Sequence, residues 1–389
     1  MRREEKGSLS EMLELNKIYN MDCLEGMKLL DDNSVDSIVT DPPYELGFMG
    51  KKWDSTGIAY NVELWKECLR VLKPGGHLLA FGGTRTYHRM ACAIEDAGFE
   101  IRDCIQWLYG SGFPKSHDIS KAIDKKLGTY VEGKLLPSSR TTGASATGIA
   151  TTFRKKTASN PQAPEAQKWE GWGTALKPAH EPIVLARKLL SEKTIAENVM
   201  KWGTGGLNID GCRVGTEQIT IRGGGAKYYD GYKSGVPNNS VNITNQGRFP
   251  ANVILDEEAG KLLDEQSGIK KGGKMVIGGT PRKTEGFVCT GSPDRSKSLM
   301  SYGDSGGASR FFYCAKASKK ERGEGNNHPT VKPVTLMRYL VRLVTPPGGT
   351  VLDPFMGSGT TALACEAEGF NWIGFDLSPE YCAITERRL

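Results

Sequence analysis

The sequence has no long hydrophobic run. No stretch reaches the roughly 18 consecutive apolar residues that a membrane-spanning helix needs, so we expect no membrane contact. Residues 1–6 are polar and no apolar segment follows them, so we expect no secretory leader either. The hydrophobic fraction is 38% and the charged fraction 25%, which leaves enough apolar material for a sizeable core. Together these features predict a cytoplasmic protein.

The sequence is also poor in residues that commonly hold metal ions. Its nine cysteines are scattered singly, without a Cys-x-x-Cys pair, and it has only five histidines. Structural zinc sites are usually built from such pairs. We therefore expect no metal site, and we expect reduced thiols of the kind found inside cells.

Acidic residues are scarce relative to basic ones in the middle of the chain. Residues 110–330 carry a net charge of +12, whereas the remainder carries −6. A basic middle between acidic ends favours contact with a polyanion such as nucleic acid. The alternative is a solvated basic surface without a partner.

Strand and helix patterns alternate at both ends of the chain. Val35–Thr40 and His77–Phe81 are strand candidates, while Tyr60–Leu72 and Val334–Val344 carry apolar residues at helical spacing. Such alternation predicts βαβ units and a parallel sheet. The predicted divisions are an α/β half at 1–109, a long loop or mobile insert at 110–176, a sheet strand at 177–190, a separate basic domain at 191–325 and a second α/β half at 326–389.

A stiff tetrapeptide, Asp41-Pro42-Pro43-Tyr44, follows the strand candidate Val35–Thr40 directly. Two prolines fix φ and offer no N–H, so nearby carbonyl groups remain available as acceptors. The acid adds a further acceptor, and the aromatic ring can stack on a flat heterocycle. This combination suits recognition of an amino group on a ring, and the alternative is a proline-stiffened turn.

A glycine-containing loop follows the strand candidate near the other end of the chain. Asp353–Thr360 joins this strand to a helix, and its glycines allow close backbone approach to a ligand. No Gly-Lys-Ser/Thr follows, so it is not a phosphate loop. Asp376 ends the next strand about 20 residues later, where a carboxylate can accept from ribose hydroxyls. The pattern suits the nucleoside of S-adenosylmethionine, and the alternative is a tight strand-to-helix turn.

These motifs together resemble those of the amino-group DNA methyltransferases. The motif set consists of Asp-Pro-Pro-Tyr at 41–44, His-Pro-Thr-Val-Lys-Pro at 328–333, Asp-Pro-Phe-Met-Gly-Ser-Gly-Thr at 353–360 and Gly-Phe-Asp at 374–376. Their order, with the catalytic motif first, resembles the permuted beta group. The stretches Lys201–Asn208 and Arg248–Asn252 are similar to enzymes often carried by phages and prophages.

The resemblance implies a fold and a reaction. The fold would be a Rossmann-like, seven-stranded α/β sheet with one antiparallel strand, for which Glu181–Arg187 is the candidate, and with a target-recognition domain inserted at 191–325. The 1–109 half would be catalytic and the 326–389 half would bind the cofactor. The enzyme would transfer a methyl group from S-adenosyl-L-methionine to a base flipped out of double-stranded DNA. A homodimer and a restriction–modification setting are family-based expectations.

The resemblance also implies site residues. Asp41, Pro42, Pro43 and Tyr44 would be catalytic. Bordering the cofactor would be Asp22, Cys23, Asp41, His328, Thr330, Lys332, Asp353, Pro354, Phe355, Gly357, Ser358, Gly359, Thr360, Asp376 and Leu377. For Asp22, a contact with the adenine of the cofactor and a helix cap remain equal alternatives, and Cys23 is structural or near the cofactor. His328 would orient rather than catalyse, and Lys51, Lys52 and Trp53 would cover the flipped base or form a surface loop.

The motifs also bear on which base is methylated. Aspartate rather than serine at position 41 favours N6 of adenine over N4 of cytosine. The other hypotheses are a cytosine-N4 enzyme, a DNA-binding protein without catalysis, and an RNA or protein methyltransferase.

Overall fold

The computed structural model describes residues 13–47, 52–112, 116–132, 160–222, 242–271, 274–276, 299–301, 305–315, 326 and 331–389. Within these ranges the strands are β1 (Lys17–Asn20), β2 (Val35–Thr40), β3 (Leu72–Phe81), β4 (Glu100–Leu108), β5 (His180–Arg187), β6 (Val214–Arg222), β7 (Asn242–Arg248), β8 (Val253–Asp256), β9 (Lys270–Lys271), β10 (Lys274–Val276), β11 (Leu299–Ser301), β12 (Ser305–Gly306), β13 (Tyr313–Ala315), β14 (Thr350–Asp353) and β15 (Asn371–Asp376). The α-helices are α1 (Cys23–Met27), α2 (Val62–Val71), α3 (Tyr87–Asp96), α4 (Ile119–Leu127), α5 (Pro164–Gln167), α6 (Ile195–Trp202), α7 (Glu257–Ser267), α8 (Val334–Val344), α9 (Thr360–Glu368) and α10 (Pro379–Arg388). None of the helices in these ranges has the length and apolar character to cross a bilayer.

A nine-stranded sheet forms the centre of the fold. Its order is β1-β15-β14-β2-β3-β5-β4-β8-β13. β5 runs antiparallel to both of its neighbours, and the other pairs are parallel. The first seven strands correspond to the predicted seven-stranded sheet, and the antiparallel strand is the predicted one.

Helices cover both faces of the sheet, because the strands are apolar on both sides. In β3, Leu79 and Phe81 face the core beneath α8 and α9, whereas Leu78 and Ala80 face the core beneath α1, α2 and α3. All six residues of β2 are buried. Buried-on-both-faces strands are typical of α/β proteins with parallel sheets, so the α/β fold class is confirmed.

Two strands extend the predicted sheet from seven to nine. β8 pairs with β4 and β13 pairs with β8, so part of the range 191–325 is built into the main sheet rather than forming a wholly separate domain. The predicted strand at Arg248–Leu255 is split into the end of β7 and β8, because the intervening Pro250 cannot donate to a ladder. The predicted strand at Arg310–Tyr313 is also misplaced, since a 3-10 turn occupies Ala308–Phe311 and β13 begins at Tyr313.

The described parts of the range 110–176 contain ordered structure, in contrast to the predicted long loop. α4 and α5 pack there, and a β-bridge joins Asp118 to Gly173. The Asp124 carboxylate accepts from the backbone amides of Gln162 and Ala163, which ties the two helices together. Polar side chains rather than apolar spacing organise this unit, which is why periodicity missed it. Residues 133–159 lie outside the described ranges.

Candidate active site

The carboxyl ends of four neighbouring parallel strands meet at one edge of the sheet. β1 ends at Asn20, in register with Asp376 at the end of β15. β14 ends at Asp353, and β2 ends at Thr40, directly before Asp41. Because β14 pairs with both β15 and β2, strands from opposite ends of the chain become neighbours. The tetrapeptide and the glycine loop therefore share one edge of the sheet.

Asp41 has one engaged and one open carboxylate oxygen. The Lys332 ammonium donates to Oδ2 at 2.5 Å. Within the described part of the chain, Oδ1 is buried and has no hydrogen-bond partner. A buried acceptor without a donor costs about 1–3 kcal/mol, and native structures rarely leave one. Oδ1 is thus suited to accept a hydrogen bond from a ligand.

Tyr44 is held at both its backbone and its hydroxyl. The Thr86 hydroxyl donates to the Tyr44 carbonyl oxygen at 2.7 Å. The Tyr44 hydroxyl donates to Oε2 of Glu181 at 2.8 Å and accepts from Nζ of Lys332 at 3.1 Å. Burial, together with the charges of Asp41 and Glu181, raises the pKa of Tyr44 well above its usual value. The phenol therefore stays a neutral donor, and its ring has a fixed orientation.

Lys332 is a buried cation between two carboxylates. Its side chain is only 9% exposed, and Nζ lies 3.4 Å from Oε2 of Glu181 in addition to its contact with Asp41. Burial alone would lower the pKa of Lys332, but the charges of Asp41 and Glu181 outweigh it and raise the pKa. The ammonium thus persists at neutral pH.

Asp353 supports the glycine loop from inside the protein. Its carboxylate is buried and accepts from the hydroxyls of Thr40 and Thr361, both at 2.6 Å, and from the amide of Phe355 at 3.0 Å. Burial raises the pKa of Asp353 to about 6, although the hydrogen bonds act in the opposite direction. Its contacts bind the end of β14 to β2 and α9, so its direct role is to fix the loop.

The loop itself is a tight turn that brings backbone amides toward Asp376. Gly357 and Gly359 have φ of 57° and 81°, a region that favours glycine. The amide of Gly357 donates to Oδ2 of Asp376 at 2.9 Å, and the amide of Ser378 donates to Oδ1 at 2.8 Å. Burial raises the pKa of Asp376 against these two hydrogen bonds. The carboxylate is fixed at the strand end and keeps further acceptor capacity on both oxygens.

Asp22 serves as a helix cap, which was one of its two predicted roles. Its Oδ1 accepts from the amides of Leu24 and Glu25 at the start of α1. A contact with the cofactor through the remaining oxygen stays a prediction. Cys23 is buried, and burial with the charge of Asp22 raises the pKa of its thiol to about 12. The thiol is therefore protonated at neutral pH and is not a nucleophile there.

The other predicted cofactor residues vary in exposure. Pro354, Ser358 and Thr360 are buried, Phe355 is half-buried, and Leu377 is 71% exposed beside Asp376. Arg388 of α10 donates to the Ser358 carbonyl oxygen and closes the loop from the other side. The predictions for His328, Thr330 and Lys51, and for the side chains of Lys52 and Trp53, lie outside the described residues.

Glu181 is the site residue that the sequence reasoning missed. In the sequence, Glu181 is only the first residue of the candidate strand Glu181–Arg187. β5 is antiparallel to β3, so its amino end lies at the same edge as the carboxyl ends of the parallel strands. A charged residue before Pro182 at the start of a buried strand was the available signal.

The arrangement combines acceptors for an amino group, a fixed aromatic ring and a carboxylate beside a glycine turn. The Cys23 thiol is protonated at neutral pH, and the hydroxyls that donate to carboxylates here, on Thr40, Thr361 and Tyr44, hold the loop and the ring in place. The geometry suits positioning and electrostatic stabilisation rather than covalent catalysis.

A DNA methylase family, that of the N6/N4 methyltransferases, matches residues 35–387. The Type II methyltransferase M.HindIII of Haemophilus influenzae is 22% identical over 417 residues, which span 96% of this chain and 94% of the relative. The DNA adenine methyltransferase YhdJ of Escherichia coli is 42% identical, but over only 66 residues, or 17% of this chain and 22% of YhdJ.

Solved structures of low identity align along most of the chain. The complex of M1.HpyAVI with SAM is 18% identical with a TM-score of 0.40, covering 96% of this chain and 99% of that one. The cytosine-N4-specific PvuII DNA methyltransferase is 15% identical with a TM-score of 0.43, covering 96% of this chain and 85% of that one. From the family match, this chain belongs to the S-adenosylmethionine-dependent N6/N4 DNA methyltransferases.

Proposed function

We propose that this protein methylates the exocyclic N6 amine of an adenine that is flipped out of double-stranded DNA. The observation that carries the proposal is the buried Oδ1 of Asp41, which has no hydrogen-bond partner in the described part of the chain. An amino group of a base would supply the missing donor.

The residues at the edge of β14 and β15 fit S-adenosylmethionine. Asp376 would accept from the ribose hydroxyls, and the turn at Gly357 and Gly359 would admit the nucleoside close to the backbone. When bound, the cofactor supplies an electrophilic methyl group on a sulfonium. The carboxylates at this edge provide negative charge that suits a cationic ligand.

The tetrapeptide would prepare the amine for attack. An exocyclic amine delocalises its lone pair into the ring, which makes it a weak nucleophile. Hydrogen bonds from the amine to Oδ1 of Asp41 and to the Pro42 carbonyl favour a more tetrahedral nitrogen with an available lone pair. The surplus proton leaves the nitrogen through these acceptors to solvent.

Tyr44 would hold the flipped base by stacking. Flipping costs a few kcal/mol of lost pairing and stacking. A base–aromatic stack returns about 1–3 kcal/mol. The ring is fixed through its hydroxyl and its carbonyl, so little ordering remains to be done when the base arrives.

Adenine is favoured over cytosine by the aspartate at position 41. The relative YhdJ is named an adenine methyltransferase, whereas the PvuII enzyme is named cytosine-N4-specific. The aspartate, together with an adenine-methylating relative, supports N6 of adenine, and N4 of cytosine is the alternative product.

We also propose that residues 191–325 contact the target DNA. This range carries a net charge of +5 and includes strands that extend the main sheet. Double-stranded DNA is the proposed partner, and assembly as a homodimer remains a family-based expectation.

The deciding experiment identifies the product nucleoside. Purified protein is incubated with unmethylated genomic DNA and S-adenosylmethionine, and the digested nucleosides are analysed by mass spectrometry. N6-methyl-2′-deoxyadenosine supports the proposal, whereas N4-methyl-2′-deoxycytidine would replace it with the alternative. Absence of any methyl transfer, with DNA binding retained, would indicate a DNA-binding protein without catalysis. Methyl transfer to RNA or protein alone would also overturn the proposal.

A further inference from the structure

Glu181 links three groups of the proposed active site. It lies at the start of β5 and is paired with Trp107 of β4. Its Oε2 accepts from the Tyr44 hydroxyl at 2.8 Å and lies 3.4 Å from Nζ of Lys332. One carboxylate oxygen thus contacts both the stacking ring and the buried cation.

The Lys332 ammonium contacts three groups of the site. Nζ lies 2.5 Å from Asp41, 3.1 Å from the Tyr44 hydroxyl and 3.4 Å from Glu181. Nζ also lies 4.9 Å from the centre of the Phe81 ring, so aromatic surface adjoins the cation. A buried ammonium is stable only where its charge is compensated and its donors are engaged. Removing Glu181 leaves Asp41 as the only carboxylate within 4 Å of this ammonium among the described residues.

The position of Lys332 decides which oxygen of Asp41 is open. Nζ donates a hydrogen bond to Oδ2 of Asp41, while Oδ1 has no hydrogen-bond partner in the described part of the chain. If Nζ loses its second carboxylate, its best compensation is a closer, two-oxygen contact with Asp41. That contact would fill the acceptor proposed for the base, and at the same time the Tyr44 hydroxyl would lose its acceptor.

We propose that Glu181 is a positioning residue for methyl transfer: it holds Tyr44 and Lys332 so that the ring and Oδ1 of Asp41 face the target base together. This inference rests on the proposed function. Glu181 acts through its neighbours and does not itself touch the reacting atoms.

The kinetic test compares Glu181→Gln with Glu181→Ala. The glutamine keeps an acceptor for the Tyr44 hydroxyl but removes the charge, whereas the alanine removes both. We expect kcat to fall on the order of 10- to 100-fold in Glu181→Ala, as for the loss of a hydrogen bond to a charged group. Glu181→Gln should recover part of this loss. The KM for S-adenosylmethionine should stay within about twofold, because the cofactor edge is untouched.

A matched control is available on the protein surface. Glu63 of α2 forms an ion pair with Lys66 at 2.8 Å, and the two side chains are 70% and 52% exposed. Glu63→Gln removes the same charge outside the proposed site and outside the range 191–325, and it should leave kcat unchanged. Thermal melting of each variant checks that the fold is retained, and the near-isosteric glutamine keeps the test valid if the alanine variant is unstable.

The second readout needs neither cofactor nor DNA. The titratable groups that face the Lys332 ammonium are Asp41 from the end of β2, Tyr44, Glu181 from β5 and Tyr109 after β4. Loss of one carboxylate should lower the pKa of Lys332 in Glu181→Gln. Nuclear magnetic resonance of protein carrying lysine labelled with carbon-13 at Cε can follow this titration, with Lys332→Met identifying the signal.

The outcomes separate the two proposals. A lower Lys332 titration midpoint in Glu181→Gln, with reduced kcat and unchanged cofactor KM, supports the positioning role. Native kcat in both Glu181 variants, or an unchanged Lys332 titration, would overturn it. If the native protein transfers no methyl group to DNA, the proposed function fails instead, and the titration still tests the network.

Discussion

Tyr44 offers two contacts that single substitutions can separate, its ring and its hydroxyl. The ring is the proposed stacking surface, and the hydroxyl is bonded to Glu181. Asp376 is similar, since its carboxylate both fixes the Gly357 amide and is the proposed ribose acceptor. At the scale of residues, the site therefore consists of groups with one structural and one ligand-directed role.

Substitution of Tyr44 should affect methyl transfer more than cofactor binding. We expect Tyr44→Ala to lower kcat/KM for DNA by roughly 5- to 150-fold, which corresponds to the loss of a stack worth about 1–3 kcal/mol. Tyr44→Phe keeps the ring and should lose less. Cofactor affinity, measured by calorimetry, should remain near native in both variants. Full activity of Tyr44→Ala would reject the stacking role.

Substitution of Asp376 should act on cofactor affinity instead. Asp376→Ala removes a charged acceptor, and we expect the binding free energy of S-adenosylmethionine to weaken by about 1.5–3 kcal/mol in calorimetry. Glu380→Ala, which removes an exposed carboxylate on α10, serves as the control for charge alone. An affinity equal to the native value in Asp376→Ala would refute the ribose contact.

Among the secondary-structure elements, β5 and α9 each position one part of the proposed site. β5 brings Glu181 to the proposed active site only because it runs antiparallel to its neighbours. α9 begins at the glycine turn, and both of its ends have left-handed glycines, Gly359 with φ of 81° and Gly369 with φ of 74°. The surroundings of the two glycines differ, so alanine substitutions at the two ends of α9 can be compared directly.

Gly359→Ala should be more destabilising than Gly369→Ala. A Cβ at position 359 would lie 2.5 Å from Cγ2 of Thr385, whereas nothing lies within 4 Å of a Cβ at position 369. Gly369→Ala should cost about 1–2 kcal/mol of backbone strain. Gly359→Ala should exceed this cost in the free energy of unfolding and should also weaken cofactor binding. Chemical denaturation and calorimetry measure the two effects, and equal losses in both variants would contradict the steric argument.

At the scale of the whole molecule, the sheet connects distant parts of the chain into one body. β14 joins β2 across about three hundred residues of sequence, and β8 and β13 attach part of the basic middle to the main sheet.

The core of this sheet contains titratable groups whose protonation affects the stability of the entire fold. His77 in β3 is 4% exposed, and burial, with the charges of Arg187 and Arg102, lowers its pKa to about 4.

His77 should make the fold less stable as the pH falls from about 6.5 to about 4. The unfolded chain binds a proton at His77 below pH 6.5, whereas the folded chain does so only below about pH 4. The neutral imidazole therefore contributes fully to the free energy of unfolding above pH 6.5. This contribution, about 3 kcal/mol at most, is lost as the pH falls from 6.5 to 4. Asp353 titrates in the opposite sense, because its pKa is raised from 3.8 to about 6.

Comparing the pH dependence of the free energy of unfolding in native protein and in His77→Gln isolates the contribution of the histidine. The free energy of unfolding, measured by denaturant titration at pH 7 and pH 5, should decline less in the variant than in the native protein. Identical declines would show that His77 does not carry this pH dependence.

The sequence by itself determined the local elements of the site. Asp41–Tyr44 and Asp353–Thr360 were identifiable because prolines and glycines restrict or free the backbone at strand ends regardless of context. The alternation of strands and helices likewise predicted the parallel sheet, since burial on both faces leaves a local apolar signature. The family resemblance implied its antiparallel strand.

Only the tertiary structure decided which side chains act together. Lys332 was expected near the cofactor, and folding also brings it to Asp41, Tyr44 and Glu181. The local signal of Glu181, a charge before Pro182, did not indicate these partners. The extension of the sheet by β8 and β13, and the polar packing around Asp124, were equally hidden. Charge pairs and strand neighbours of this kind join residues far apart in the chain. They depend on geometry created by folding, which short-range sequence patterns do not encode.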